Sequence, residues 1–156
     1  MSSIVTCTNK QYIISMIKLQ LLPCSIETPL PLPFAEQGIR AGFPSPAQDF
    51  MELALDFNRD MIKNPLATFY ARVKGDSMID DGINDGDMLL IDRSLSATEG
   101  TLAVCALEGE FTLKRIHRDG DKLFLMPANA NFKPIEVTAD QEFTIWGVVL
   151  YIIKKP

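Results

Sequence analysis

The spacing of apolar residues changes twice along this chain of 156 residues. Near the start, YIISMIKLQLL (residues 12–22) is an apolar run broken by Lys18 and Gln20. From Pro23 to Pro46 the chain carries six of its ten prolines, a composition that favours extended backbone over core packing. Next comes FPSPAQDFMELALDFNRDMIKN (residues 43–64). There Ser45, Pro46 and Gln48 supply an N-cap, a first-turn proline and a capping-box partner. Phe50, Ala54 and Phe57 recur at helical spacing, with Asp49, Glu52, Asp56 and Arg59 elsewhere around the turn. One short helix is predicted from about Pro46 to Phe57, with Pro65 as its outer limit.

From Ala67 the period becomes that of strands. TFYARV, MLLID, TLAVCAL, GEFTLKRI, KLFLMPA and FTIWGVVLYII are short β-branched or aromatic runs, separated by DDGINDGD, TEG, LEGE and RDGD. This pattern predicts a mainly β, antiparallel domain over residues 42–156, preceded by an arm over residues 1–41. The last run is apolar on both faces. It reads equally as a central strand or as one buried against a second copy of the chain.

Charge and cysteine usage narrow the function classes. The formal charge is −5, and up to Arg40 three basic side chains meet two acidic ones, whereas beyond it 12 basic meet 18 acidic. An acidic domain lacks the clustered Lys and Arg that neutralise phosphates, so direct DNA binding is not expected. Cys7, Cys24 and Cys105 match no zinc or disulfide pattern, and with one histidine in the chain no metal site is expected. Reduced thiols fit a cytoplasmic protein. The run at residues 12–22 is too short for a membrane span and is not followed by a small-residue cleavage site.

The candidate chemistry centres on KGDSMID (residues 74–80). Ser77 sits between Asp76 and Met78 on a glycine turn before an apolar strand. A serine hydroxyl is unreactive until a base takes its proton. The two candidate bases, His117 and Lys114, both lie on GEFTLKRIH (residues 109–117). Strand alternation puts Thr112, Lys114 and Ile116 on one face, and Phe111, Leu113, Arg115 and His117 on the other. Lys114 then projects between Thr112 and Ile116, where burial would lower its pKa toward neutrality. His117 falls at the strand's end. Taken alone, a strand lysine is a solvated charge and Gly-Asp-Ser is a turn; the residues leave both readings open.

Three motifs together resemble the Ser/Lys self-cleaving domain shared by LexA-type repressors and UmuD proteins. They are the G-D-S-M turn, the D-G-x-x-D-G-D hairpin entering an apolar strand, and a lysine directly after E-F-T-L. AGFPSPAQDF (residues 41–50) is similar to the UmuD cleavage region. The resemblance covers residues 41–156. It implies a compact antiparallel β domain of the LexA/UmuD C-terminal type, with one short helix and a flexible N-terminal arm. It makes Ser77 the nucleophile, Lys114 the general base and Ala41–Gly42 the scissile bond, with backbone N–H groups of Asp76 and Ser77 as the oxyanion hole. No cofactor is implied. The implied partners are a second copy of the chain, a RecA filament on single-stranded DNA that triggers cleavage, and a UmuC-like error-prone polymerase subunit for translesion synthesis.

Two departures stand out. The family's UmuD branch has Cys-Gly at the cut, whereas this chain has the Ala-Gly of the repressor branch. The arm also exceeds the usual length, which an initiator at Met16 would restore. A LexA-like repressor is the nearest alternative, but it needs a DNA-binding unit that a proline-rich arm does not supply. A signal peptidase shares the chemistry but needs an anchor.

Overall fold

The computed structural model describes residues 22–23, 29, 31–34 and 53–156, with side chains at 29, 56 and 58–156. The strands are β1 (Leu22–Pro23), β2 (Pro31–Phe34), β3 (Leu53–Asp56), β4 (Thr68–Arg72), β5 (Met88–Asp92), β6 (Leu102–Leu107), β7 (Glu110–Asp119), β8 (Lys122–Met126), β9 (Ile135–Val137) and β10 (Phe143–Ile153). Eight of them form one antiparallel sheet in the order β1-β4-β5-β10-β6-β7-β8-β9, and β2 pairs with β3 separately. The mainly β, antiparallel expectation therefore holds. The C-terminal run takes the central position, between β5 and β6.

The helix is where sequence and structure part. Among the described residues the one α segment is α1 (Phe57–Met61), which begins where the predicted core of the helix ends and stays inside the Pro65 limit. Residues 53–56 are strand instead, paired Leu53↔Phe34, Ala54↔Pro33, Leu55↔Leu32 and Asp56↔Pro31. The apolar residues at 53 and 55 fit a two-residue period as well as a helical one, and pairing with the arm selects the strand. Asp56 then starts the helix. Its backbone is extended (φ −96°, ψ 102°), and its carboxylate accepts from the N–H groups of Asn58 at 3.0 Å and Arg59 at 3.5 Å. The predicted start at Ser45 and Pro46 lies outside the described residues. β2 tolerates Pro31 and Pro33 because their spacing of two lets both missing N–H groups face away from the neighbouring strand.

Both faces of the central strands are buried. Val104 of β6 packs with Ala71, Val73, Met78, Ile83, Leu89 and Ile91. Its neighbours Ala103 and Cys105 point the other way, to Ile116 and Leu125. Side chains such as Ile91 and Leu125 are fully enclosed, each contributing about 1.5–3 kcal/mol of hydrophobic stabilisation. The β6–β7 hairpin closes through Glu108 (φ 50°) and Gly109 (φ 79°), two residues with positive φ as the strand twist requires. In β10 the register against β6 slips between Ile145 and Gly147. A Cβ on Gly147 would lie 2.6 Å from Ile91 Cγ2 and 3.2 Å from the Asp92 carbonyl oxygen, so the bulge needs glycine.

Candidate active site

The loop after β4 is pinched at its base. Val73 N–H donates to the Asp87 carbonyl (2.8 Å), and Gly86 N–H donates to the Val73 carbonyl (2.9 Å). Gly75 turns the chain at φ 93°, and its N–H donates to Asp85 Oδ1 at 2.7 Å. A short 3₁₀ turn, η1 (Ile79–Asp81), follows. Met78 is 2 % exposed and anchors the loop in the core beside Ile83. Anchoring Met78 fixes the residue before it. Ser77 is thus held on the rim of a cleft of about 230 Å³, whose lining includes Val73, Leu89, Phe111, Leu113 and Phe132.

Lys114 reaches Ser77 from β7. Its Nζ lies 2.8 Å from Ser77 Oγ, 2.9 Å from Thr112 Oγ1 and 3.0 Å from the Leu113 carbonyl oxygen. The side chain is 6 % exposed and has no carboxylate among these partners. Burial pulls its pKa below the ordinary lysine value, and the neighbouring Cys105 opposes that only in part. The same burial pushes the Cys105 thiol up to about 12, with the Lys114 charge acting in the opposite direction. Cys105 is therefore a neutral thiol in the core beside Lys114. A neutral Lys114 amine has two N–H groups, which match Thr112 Oγ1 and the Leu113 carbonyl. Its lone pair is then left for the Ser77 hydroxyl proton, and this arrangement suits proton abstraction.

Lys114 lies beside Thr112, as strand alternation predicts. His117 is engaged elsewhere: its Nδ1 is 2.7 Å from Glu99 Oε1 at the surface, and its ring lies 6.2 Å from that of Phe124. Ala41 and Gly42 lie outside the described residues. Asp76 and Ser77 both line the cleft, as an oxyanion site there requires. Among the described residues no cluster of His, Cys, Asp or Glu is arranged to hold a metal ion, and no helix is long and apolar enough to cross a membrane.

The sequence assigns KLFLMPA to a strand, but β8 ends at Met126 and MPANANF (residues 126–132) continues as a loop whose part in the site no motif marks. This loop braces the serine turn through Ala128 N–H to the Ser77 carbonyl (2.9 Å), Asp80 N–H to the Ala128 carbonyl (2.7 Å) and Asn129 Nδ2 to the Asp76 carbonyl (2.9 Å). Its one signal was Pro-Ala-Asn directly after a strand, a turn composition with nothing to reveal its partner.

The chain is similar to known proteins over most of its length. Residues 33–150 match the Peptidase S24-like family. Protein MucA of Salmonella typhimurium is 42% identical over 127 residues, spanning 80% of this chain and 86% of that protein. Protein SamA of the same organism is 37% identical over 115 residues, spanning 74% of this chain and 79% of SamA. LexA repressor 2 of Pseudomonas syringae is 46% identical over 87 residues, which is 56% of this chain and 43% of the repressor. The chain belongs to the Peptidase S24-like family, as a UmuD-like member of its LexA/UmuD group.

Proposed function

We propose that this chain is a serine peptidase that cuts itself between Ala41 and Gly42, with Ser77 as nucleophile and Lys114 as general base. The observation that carries the reading is the 2.8 Å separation of Ser77 Oγ and Lys114 Nζ, at a lysine that burial biases toward the neutral amine. Lys114 takes the Ser77 proton as Oγ attacks the Ala41 carbonyl carbon. The resulting oxyanion is met by backbone N–H groups of Asp76 and Ser77. As the tetrahedral species collapses, the C–N bond breaks and the Gly42 amine leaves with the proton from Lys114. Water, deprotonated by Lys114, then hydrolyses the Ala41–Ser77 ester and restores the serine. Small residues on both sides of the bond suit a narrow cleft, and tethering of substrate to site raises the effective concentration.

In this reading, cleavage removes residues 1–41 in the SOS response to DNA damage, stimulated by a RecA filament on single-stranded DNA. The remaining domain, a cytoplasmic homodimer, serves as the accessory subunit of a UmuC-like error-prone translesion polymerase. The family relationship to MucA and SamA supports that setting.

The test is incubation of the purified chain at raised pH, and separately with activated RecA filaments, followed by mass measurement. Cleavage after Ala41 that disappears in Ser77→Ala and in Lys114→Ala supports the proposal. Undiminished cleavage in Lys114→Ala refutes it. The similarity to LexA repressor 2 favours a second reading, a LexA-like repressor of the SOS genes. That reading requires the uncut chain to bind an operator duplex specifically, which fluorescence anisotropy measures.

A further inference from the structure

The proposed mechanism needs an N–H group aimed at the attacked oxygen, and its orientation has a visible cause. In a trans peptide unit the carbonyl and the following N–H point to opposite sides. The Asp76 carbonyl therefore dictates where the Ser77 N–H points. That carbonyl accepts from Ile79 N–H at 3.1 Å within its own turn, and from Asn129 Nδ2 at 2.9 Å across 53 residues of sequence. Asn129 is 9 % exposed and outside the cleft lining, whereas Asp76 and Ser77 are both in it. A carbonyl drawn toward Asn129, which lies outside the cleft lining, sets the Ser77 N–H on the opposite side of that peptide unit. No other bond among the described residues uses that N–H.

The Asn129 amide is itself oriented. Its Oδ1 accepts from Asn131 N–H at 2.9 Å, so Nδ2 is the atom that faces Asp76. The adjacent Ala128 makes two further backbone bonds to Ser77 and Asp80, which hold the two loops in register.

We propose that Asn129 is a positioning residue for self-cleavage: its side-chain amide holds the Asp76 carbonyl back and so aims the Ser77 N–H at the developing oxyanion. This rests on the assignment of Ser77 as nucleophile. Without Asn129 only the local turn bond from Ile79 N–H holds the Asp76 carbonyl, and the Asp76–Ser77 peptide has more freedom to turn. Asn129→Asp is the sharper variant, because it keeps an acceptor for Asn131 N–H but presents an oxygen to the Asp76 carbonyl. Asn129→Ala removes both bonds.

The experiment is single-turnover self-cleavage of the full chain across pH, with thermal unfolding and ¹H–¹⁵N spectra of the parent and both variants. Displacing an oxyanion donor costs on the order of 10²-fold in rate, and a donor lost only part of the time costs less. We expect both folded variants to cleave about 10–100-fold more slowly. The midpoint of the rate–pH profile should stay fixed, because Lys114 is untouched, and the Ser77 amide resonance should move. A folded variant that cleaves within about twofold of the parent overturns the inference. So does a lost rate with a shifted midpoint, which would assign the effect to Lys114. If neither variant folds, a through-hydrogen-bond coupling between Asn129 Nδ2 and the Asp76 carbonyl carbon in the parent decides; its presence supports the inference and its absence overturns it. A parent that never cleaves contradicts the Ser77–Lys114 mechanism instead, and the same spectra still decide the peptide's orientation.

Discussion

Lys114 carries its own energetic signature, because a buried ammonium without a carboxylate partner is a cost to the fold. Its pKa in the folded chain lies below 10.5, the value for an ordinary lysine. Between those two values the unfolded chain holds a proton that the folded chain has released. Stability therefore rises with pH across that window, and below it the penalty is present in full. Lys114→Met removes the penalty, so in a Ser77→Ala background it should unfold at higher urea concentration than its lysine counterpart at neutral pH. The gap should narrow as pH climbs toward 10.5. A gap of opposite sign, or one that ignores pH, contradicts the burial argument. The same shift governs rate. With RecA absent, the first-order constant for self-cleavage should climb about tenfold per pH unit and level off once the amine is neutral, as a pH series of single-turnover reactions would record.

At the scale of elements, β10 depends on one residue. Gly147→Ala drives a methyl into Ile91 and the Asp92 backbone, and should cost about 1–3 kcal/mol in urea unfolding. An unchanged midpoint would mean that the bulge relaxes freely. Six strands were legible because runs such as TFYAR and MLLID show their period within five residues. β9 was not, because Ile135–Val137 is too short to show any alternation. β3 was read as helix because its identity depends on a partner, β2, about 20 residues earlier in the chain. The site divides the same way. Strand alternation set Lys114 beside Thr112 and the resemblance supplied its role, whereas Asn129 meets Asp76 only through the assembled fold.

For the whole molecule, two described segments of the arm pair with strands of the domain. Leu22–Pro23 pairs with Phe69 and Tyr70 along the outer edge of β4, and Pro31–Phe34 pairs with β3. A cut after Ala41 detaches both segments from the covalent chain. The β4 amides that face β1 should then exchange hydrogen faster in the processed protein than in the Ser77→Ala protein, read by mass spectrometry or NMR. Equal protection would show that β1 stays bound or never shielded the edge. At the end of β10, Tyr151, Ile152 and Ile153 remain 43 %, 36 % and 39 % exposed, an apolar strip consistent with the proposed homodimer. Light scattering at micromolar concentration should return twice the chain mass; a monomeric mass would count against that assembly.

The proposed chemistry depends on a deprotonated nitrogen at position 114 under conditions where free lysine is charged. Titration of the Lys114 side chain by ¹³Cε and ¹⁵Nζ shifts measures this directly, with Ser77→Ala keeping the chain intact. The account predicts a midpoint clearly below 10.5, in step with the rate–pH midpoint of the parent. A midpoint at or above 10.5 would contradict it.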